Sequence, residues 1–378
     1  MITSYTLEEW NSIQWPQTPQ AHKLKTYLSP FYEQGVTNMM HNVHTDIGVL
    51  IIDDIALPFS IGARGHRCSY VCSPQSQYVE YAKEELFLLK SNTLKVISCF
   101  FIYGLQHVCS WGQLDTVIII NNWLLSTNPY PDLKKDHIST IIEHIQRTYP
   151  HHTIMFRSID LGLRAHMHTM FVEKDFRMIL SRRVHILFGN NEHVWKKKDI
   201  KKDIRLQHKT PYTHLQHDDL KPSDFERIKE LYDKLYIDKY SDLNPQFSVA
   251  YLRHLWQEKI WTFTAFEKEG RIDSVCATFD TGAFQIGPLI GYDTRIPQKE
   301  GLYRLAYMDM IAPAQKSQQN VHCSAGVALY KQQRGAESFF EYSAVYIDHL
   351  PWYRRLPWKL IQIIMDKFVQ PMMLQNNL

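Results

Sequence analysis

Apolar and polar positions along this chain alternate between two periods, and the switches between them mark its elements. IGVLIID (47–53) and IALPFSI (55–61) are dense apolar runs separated by Asp54, which predicts a hairpin or two consecutive buried strands. Between Leu133 and Thr148 the isoleucines fall at 138, 141, 142 and 145, a helical stripe. A helix is also predicted from Ser73 or Gln75 to Leu89, with Pro74 at its first position. KVISCFFIY (95–103), DTVIIINNW (115–123), TIMFRS (153–158) and FRMILSRRVHILF (176–188) are predicted strands, with a helix over 163–175. Short helices are expected near 5–12 and 22–34.

The pattern then restarts. SDFERIKELYDKLYIDK (223–239) carries a Ser223/Glu226 capping-box signature and a stripe of Phe225, Ile228, Leu231, Tyr232 and Leu235. A shorter helix is expected to end at Gln257. The runs 260–267 and 272–280 flank Lys268-Glu-Gly-Arg271, a hairpin. FQIGPLIGY (284–292) is the next strand and 301–317 the next helix. Asn320 to Tyr346 reads as strand, tight turn at Ser324-Ala325-Gly326, short helix with Lys331 and Arg334, glycine break, strand. That order can aim backbone N–H groups and cations at an anionic ligand. The apolar segment 359–369 predicts a terminal helix; packing is its plain role and peripheral membrane contact its alternative.

These elements predict an α/β fold with mixed sheets in two similar units. The expected boundaries are an N-terminal helical segment at 1–45, a first domain at 46–189, a basic linker at 190–222 and a second domain at 223–378. The linker holds Lys196, Lys197, Lys198, Lys201, Lys202, Arg205 and Lys209, with Asp199 and Asp203 interleaved. It reads as a solvated helical face or connector, or else as a cationic wall toward an acidic ligand.

Composition adds exclusions. Two domains are the default for 378 residues, and 15 glycines disfavour a glycine-rich dinucleotide fold. A net charge of +3 does not argue for nucleic acid by itself. The six cysteines lie in largely apolar contexts; Cys68 and Cys72 are the close pair, without a zinc-finger partner pair, so reduced buried thiols and no metal are expected. No signal segment and no run of about 20 apolar residues is visible, which predicts a cytoplasmic protein.

Gly301-Leu302-Tyr303-Arg304-Leu305 opening a helix, His322-Cys-Ser324-Ala325-Gly326 after a strand, Tyr330-Lys331-Gln-Gln-Arg334-Gly335-Ala336-Glu337, Glu341-Tyr342 and His349-Leu350-Pro351 together resemble the GNAT superfamily of acyltransferases. More narrowly they resemble the FemAB/FemX-like group and its BioF2-like acetyltransferase relatives. The resemblance is carried by about 50 residues of the second half; over 46–220 it is one of element order. It implies a tandem of two GNAT-like domains with a cleft between them, and N-acyl transfer from a thioester or ester donor to an amine. Acyl-CoA such as acetyl-CoA is the implied donor, with aminoacyl-tRNA or an acyl carrier protein as alternatives. The implied acceptors are a small-molecule amine or a peptidoglycan precursor.

The same resemblance implies site residues. Gln298, Lys299, Gly301, Leu302 and Tyr303 stand where a donor pyrophosphate would meet a helix N-terminus, with Arg334 nearby; Tyr303 occupies a position that is Gly or Ala in the GNAT pattern. Lys331 corresponds to a cation beside the reaction centre, and Tyr330 to a leaving-group acid or a packed ring. His322 and Glu341 are candidate bases, with Asp280 and Tyr342 behind them. In the first domain, Arg64, His66 and Arg67 form a loop expected either at the surface or facing the cleft. The competing readings are a non-catalytic GNAT-like ligand-binding or interaction protein, and an RNA binder using the lysines of 196–209.

Overall fold

The computed structural model describes residues 2–62, 67–85 and 92–376. They form two compact units. The first comprises Met1–Arg182, Leu243–Gln246 and Phe340–Asn376, and the second Arg183–Asp242 and Phe247–Phe339. The division differs from a linear cut at 223. Strand Glu337–Tyr346 crosses back because it pairs antiparallel with Thr153–Asp160, matching Glu341 to Asp160 and Tyr346 to Ile154. The run expected as a linker, 190–222, folds as helices Glu192–Lys196 and Lys198–Lys209 and the short strand Thr213–Leu215 of the second unit.

In the first unit, Ile2–Thr6, Asp46–Ile52, Ile55–Ile61 and Val117–Ile120 pair antiparallel in that order. Val117–Ile120 then pairs parallel with Thr153–Asp160. Strand alternation sorts side chains to two faces. Ile118, Ile120, Ile154 and Phe156 meet the isoleucine stripe of helix Lys135–Thr148. Val117, Ile119 and Met155 meet Cys109, Trp358 and Ile361 on the other face. Trp358 and Ile361 come from helix Trp352–Ile364, so the terminal helix contributes to the core, while its Trp352 and Ile363 are exposed.

One predicted strand is a helix. Residues 95–103 lie inside Asn92–Trp111. A short apolar run has the same composition whether it is a buried strand or part of a helix, and here the element continues another two turns. Ile102, Leu105 and Cys109, at helical spacing, pack on the core. The helix expected over 75–89 is present as Ser76–Glu80 and Tyr81–Glu85, and its last turn lies outside the described residues. The segment 5–12 is divided between strand Ile2–Thr6 and a 3-10 turn, Leu7–Ser12.

In the second unit, Thr213–Leu215, Thr262–Lys268, Arg271–Asp280 and Gln285–Tyr292 pair antiparallel in sequence. Gln285–Tyr292 then pairs parallel with Val321–His322, which pairs antiparallel with the end of Arg177–Leu187. Helix Asp224–Tyr236 buries its predicted stripe, although its start is built differently. Ser223 makes no side-chain cap; instead Asp224 accepts the Lys221 N–H at 2.7 Å. Among the described residues no helix is long and apolar enough to cross a membrane.

Candidate functional site

The parallel pairing of Gln285–Tyr292 with Val321–His322 spans two residue pairs, Gln285 with Val321 and Ile286 with His322. Beyond them the strands part, and Gly287–Tyr292 has no strand partner on that side among the described residues. An edge of that kind can accept an extended ligand through its main-chain groups.

The chain after His322 turns sharply. Ser324, Gly326 and Val327 all have left-handed backbones, with φ of 58°, 78° and 43°. Such a conformation is costly for a β-branched residue, so something must hold it. Lys331 does: its Nζ donates to the carbonyls of Cys323 at 2.6 Å, Ser324 at 3.3 Å and Ala325 at 2.6 Å. The side chain is only 4% exposed. Lys331 is therefore the clamp of the 323–325 turn. His322 is fully buried, and its Nδ1 accepts the Ser324 N–H at 3.2 Å.

Helix Ala328–Gln333 presents Tyr330, and Arg334 follows it. The Arg334 guanidinium lies 3.5 Å over the Tyr330 ring. Its Nε donates to Asp203 at 2.5 Å, and Arg304 Nε donates to the other oxygen of the same carboxylate at 2.6 Å. The Tyr330 hydroxyl reaches Asp203 at 3.5 Å. Burial pushes the Tyr330 hydroxyl well above its ordinary range, with Arg334 partly offsetting. Asp203 is itself fully buried. It lies on the inner side of helix Lys198–Lys209 with Ile200, while Lys198, Lys201, Lys202, Arg205 and Lys209 are exposed. The basic run is thus a solvated face with one buried acid on its underside.

Gln298 and Lys299 occupy an exposed 3-10 turn, and Gly301 follows at φ 74°. The left-handed backbone favours glycine at 301, and a Cβ there would lie 2.5 Å from Leu206 Cδ2, so the end of the Leu206 side chain would have to shift. Leu302 is buried, and its carbonyl accepts the Ser274 hydroxyl at 3.0 Å. The Tyr303 ring packs edge-on against Tyr330 at 5.0 Å and near Tyr307 at 6.3 Å.

The second unit therefore brings together Lys331, His322, Tyr330, Arg334 and Tyr303. Glu341 belongs to the first unit, where Arg182 holds its carboxylate bidentately at 2.7 and 3.2 Å. Asp280 caps a turn by accepting the Gly282 N–H, and Tyr342 packs beside His168. Arg64 and His66 lie outside the described residues; Arg67 is exposed and paired with Glu84.

Sequence reasoning missed three groups. Asp203 and Arg304 complete the Tyr330–Arg334 cluster. Arg157, 4% exposed, donates to the carbonyls of Val71 and Leu125 beside the ring of Tyr70. His185 is 1% exposed with neither ring nitrogen hydrogen-bonded, and its backbone pairs with Cys323 and Ser324. Burial, then the Lys331 charge, pushes the His185 imidazole down to about 4.

A pH dependence follows from His185. Its folded pKa lies below that of a free histidine, so the unfolded chain binds the proton first. Its stability contribution is intact above about pH 6.5 and is lost as pH falls toward 4, at up to about 1.4 kcal/mol per pH unit. Urea-unfolding midpoints followed over that range should fall more for the wild type than for His185→Leu on acidification. Parallel profiles would show that the imidazole is not held neutral.

Comparison with known proteins places the fold. No protein-family description matches this sequence, and no curated protein sequence matches it. Solved structures do. FemX is similar with a TM-score of 0.55 at 8% identity, over 94% of this chain and 100% of that one. A conserved protein of unknown function from Bacteroides thetaiotaomicron is similar with a TM-score of 0.50 at 11% identity, over 92% and 99%. A tandem GNAT protein from the clavulanic acid biosynthesis pathway aligns with a TM-score of 0.41 at 9% identity, over 91% and 98%. The chain has a FemX-like fold.

Proposed function

We propose that this chain is an N-acyltransferase that moves an acyl group from a thioester or ester donor to an amine. The observation that carries the reading is the parting of strands Gln285–Tyr292 and Val321–His322 beside a turn fixed by Lys331. The donor's acyl arm would lie extended along the free edge of Gly287–Tyr292, taking main-chain hydrogen bonds as an added strand does. The clamped turn at Cys323–Ala325 would border that arm and keep its geometry fixed through the reaction.

The residues do not fit a coenzyme A diphosphate at the Gln298–Tyr303 turn. Leu206 covers Gly301, Tyr303 fills the small-residue position, and the nearby arginines are engaged by Asp203. The proposal therefore places no phosphate contact there. A thioester on coenzyme A or a carrier protein and an ester on tRNA share the reactive carbonyl that the edge would receive. Lys331 acts in this reading as a positioning residue, His322 Nδ1 accepts from the same turn, and Tyr330 stands beside Lys331 on the helix that follows. The FemX-like fold is what brings peptidoglycan precursors and small amines forward as acceptors.

The test offers acetyl-CoA, an acylated carrier protein and charged tRNA separately, with hydroxylamine as a general amine acceptor. Hydroxamate is read by mass spectrometry against a heat-inactivated control. Enzyme-dependent hydroxamate from one donor class supports the reading and identifies the donor. Background-level product from all three, with folded protein, overturns it.

A further inference from the structure

Cys68 and Cys72 sit in the first unit, in the turn that leads to helix Ser76–Glu80. Their sulfurs are 3.0 Å apart, within hydrogen-bond reach, and either can be the donor. The turn is tied on both sides. Cys72 N–H and Ser73 N–H both donate to the Ser69 carbonyl at 3.1 Å, and Ser69 Oγ donates to the Leu243 carbonyl at 2.9 Å. Cys68 Sγ also accepts the His44 N–H at 3.4 Å, which favours a thiolate there. Cys72 directs its thiol at the Ser69 carbonyl, 3.4 Å away, and at Cys68. The two sulfurs differ in their surroundings: Cys68 Sγ meets both the N–H and, at 3.9 Å, the carbonyl of His44, whereas Cys72 Sγ meets the Ser69 carbonyl.

We propose that Cys68 and Cys72 are a peroxide-sensitive thiol pair, Cys68 the attacking sulfur and Cys72 the resolving one. The Cys68 thiolate attacks one oxygen of a hydroperoxide, its O–O bond breaks, and Cys68 becomes a sulfenic acid as hydroxide, or an alkoxide, leaves. The Cys72 sulfur then attacks the Cys68 sulfur, the S–O bond breaks, and water departs with the Cys72 proton. Two thiols are oxidised by two electrons and the hydroperoxide is reduced by the same two; a dithiol reverses the change. The sulfurs need to approach by about 1 Å to reach disulfide length. Cys68 is buried, but it follows the exposed Arg67, and hydrogen peroxide is little larger than water.

The protonation pattern agrees with this order. The hydrogen bond from Cys72 lowers the Cys68 thiol below its usual value, whereas burial raises Cys72 well above it. A low-pKa sulfur beside a protonated partner is one half of the arrangement of redox-sensing cysteines; the other half, solvent access, requires local opening of the turn, since Cys68 is 2% exposed.

The bond would be felt beyond the turn. Between the two cysteines lie Tyr70, whose ring sits 5.8 Å from the Arg157 guanidinium, and Val71. The Val71 carbonyl accepts both Asn122 Nδ2 at 2.9 Å and Arg157 Nη1 at 3.1 Å. Closing a small ring across residues 68–72 displaces this carbonyl and loosens a buried arginine that hydrogen-bonds to neutral acceptors. Oxidation therefore resets the polar interior of the first unit.

Reduced full-length protein is treated with hydrogen peroxide, the remaining thiols are alkylated, and peptides are mapped. The expected product is a Cys68–Cys72 disulfide as the major oxidised species, reversed by dithiothreitol. In Cys72→Ser, dimedone should trap a sulfenic acid on Cys68 at least tenfold above the level on Cys72 in Cys68→Ser. Oxidation confined to other cysteines, or no loss of the two hydrogens under conditions that oxidise free cysteine, overturns the pair. Equal dimedone labelling of the two variants overturns the assignment of attacking and resolving sulfur.

Discussion

Replacing Lys331 with methionine is expected to lower stability by about 3–5 kcal/mol and to abolish acyl transfer together with it. The cation gives three hydrogen bonds to the Cys323, Ser324 and Ala325 carbonyls in a site that is almost wholly buried. Methionine has nearly the same reach but no donor, so the three carbonyls lose the ammonium while packing is kept; the Ser324 carbonyl retains the His185 N–H. The backbone is left-handed at Ser324 and Val327, and Lys331 supports it together with the bonds of Ser324 to His322 Nδ1 and to the His185 N–H. The check is a urea-unfolding midpoint combined with the hydroxamate assay. Lys331→Arg separates two roles: it keeps charge and donors but cannot reproduce three convergent bonds from one nitrogen. Partial recovery of stability without activity indicates that the geometry of the turn is what the reaction needs. A midpoint for Lys331→Met within about 0.5 kcal/mol of wild type would rule out the clamp.

The second large effect is expected at Asp203. Asp203→Ala leaves Arg334 buried without a counter-charge and removes the anchor of Arg304, at a cost of about 3 kcal/mol. Arg304 is partly exposed and can turn to water, so most of the loss comes from Arg334. A double variant, Asp203→Ala with Arg334→Met, should therefore recover part of the loss, because it removes the stranded charge as well. Additive costs would mean that the two residues do not act as a pair. Because Asp203 also fixes helix Lys198–Lys209 against the Gly301 turn, the single variant should increase amide exchange in that helix before it affects the Arg271–Asp280 strand.

Local pattern carried much of this fold. Both hairpins were legible because each pairs dense apolar runs with a short polar turn. The observed turns use left-handed residues, Asp53 in one and Glu269-Gly270 in the other. The Ile138–Ile145 stripe was legible because a helix must bury one side. The helix Asn92–Trp111 was not, since continuous apolarity erases the difference between periods.

For the candidate site, the signal was legible in the turn and blurred in its partners. Lys331 and Arg334 were found, but as charges aimed outward. Their acceptors are backbone carbonyls in one case and an acid more than a hundred residues upstream in the other. Asp203 was hidden in a lysine-rich run that looks uniformly solvated. The available clue was its position three residues after Ile200 and three before Leu206, an acid on the apolar stripe of a basic helix. His185 gave no such clue, because an unpartnered imidazole has the same letter as a satisfied one.

The discontinuous first unit has a consequence for how the chain is made. Arg182 and Glu341 are 159 residues apart in sequence, yet the strand bearing Glu341 completes the pairing of Thr153–Asp160. A ribosome delivering the chain from its N-terminus presents Thr153–Asp160 long before its partner exists. During that interval an apolar strand edge has an unfilled hydrogen-bonding side, while everything needed for the second unit emerges and can fold. The order of maturation is thus inverted relative to the order of synthesis: the part translated first is finished last, and the nascent first unit is the stage at which a chaperone would have the most to cover.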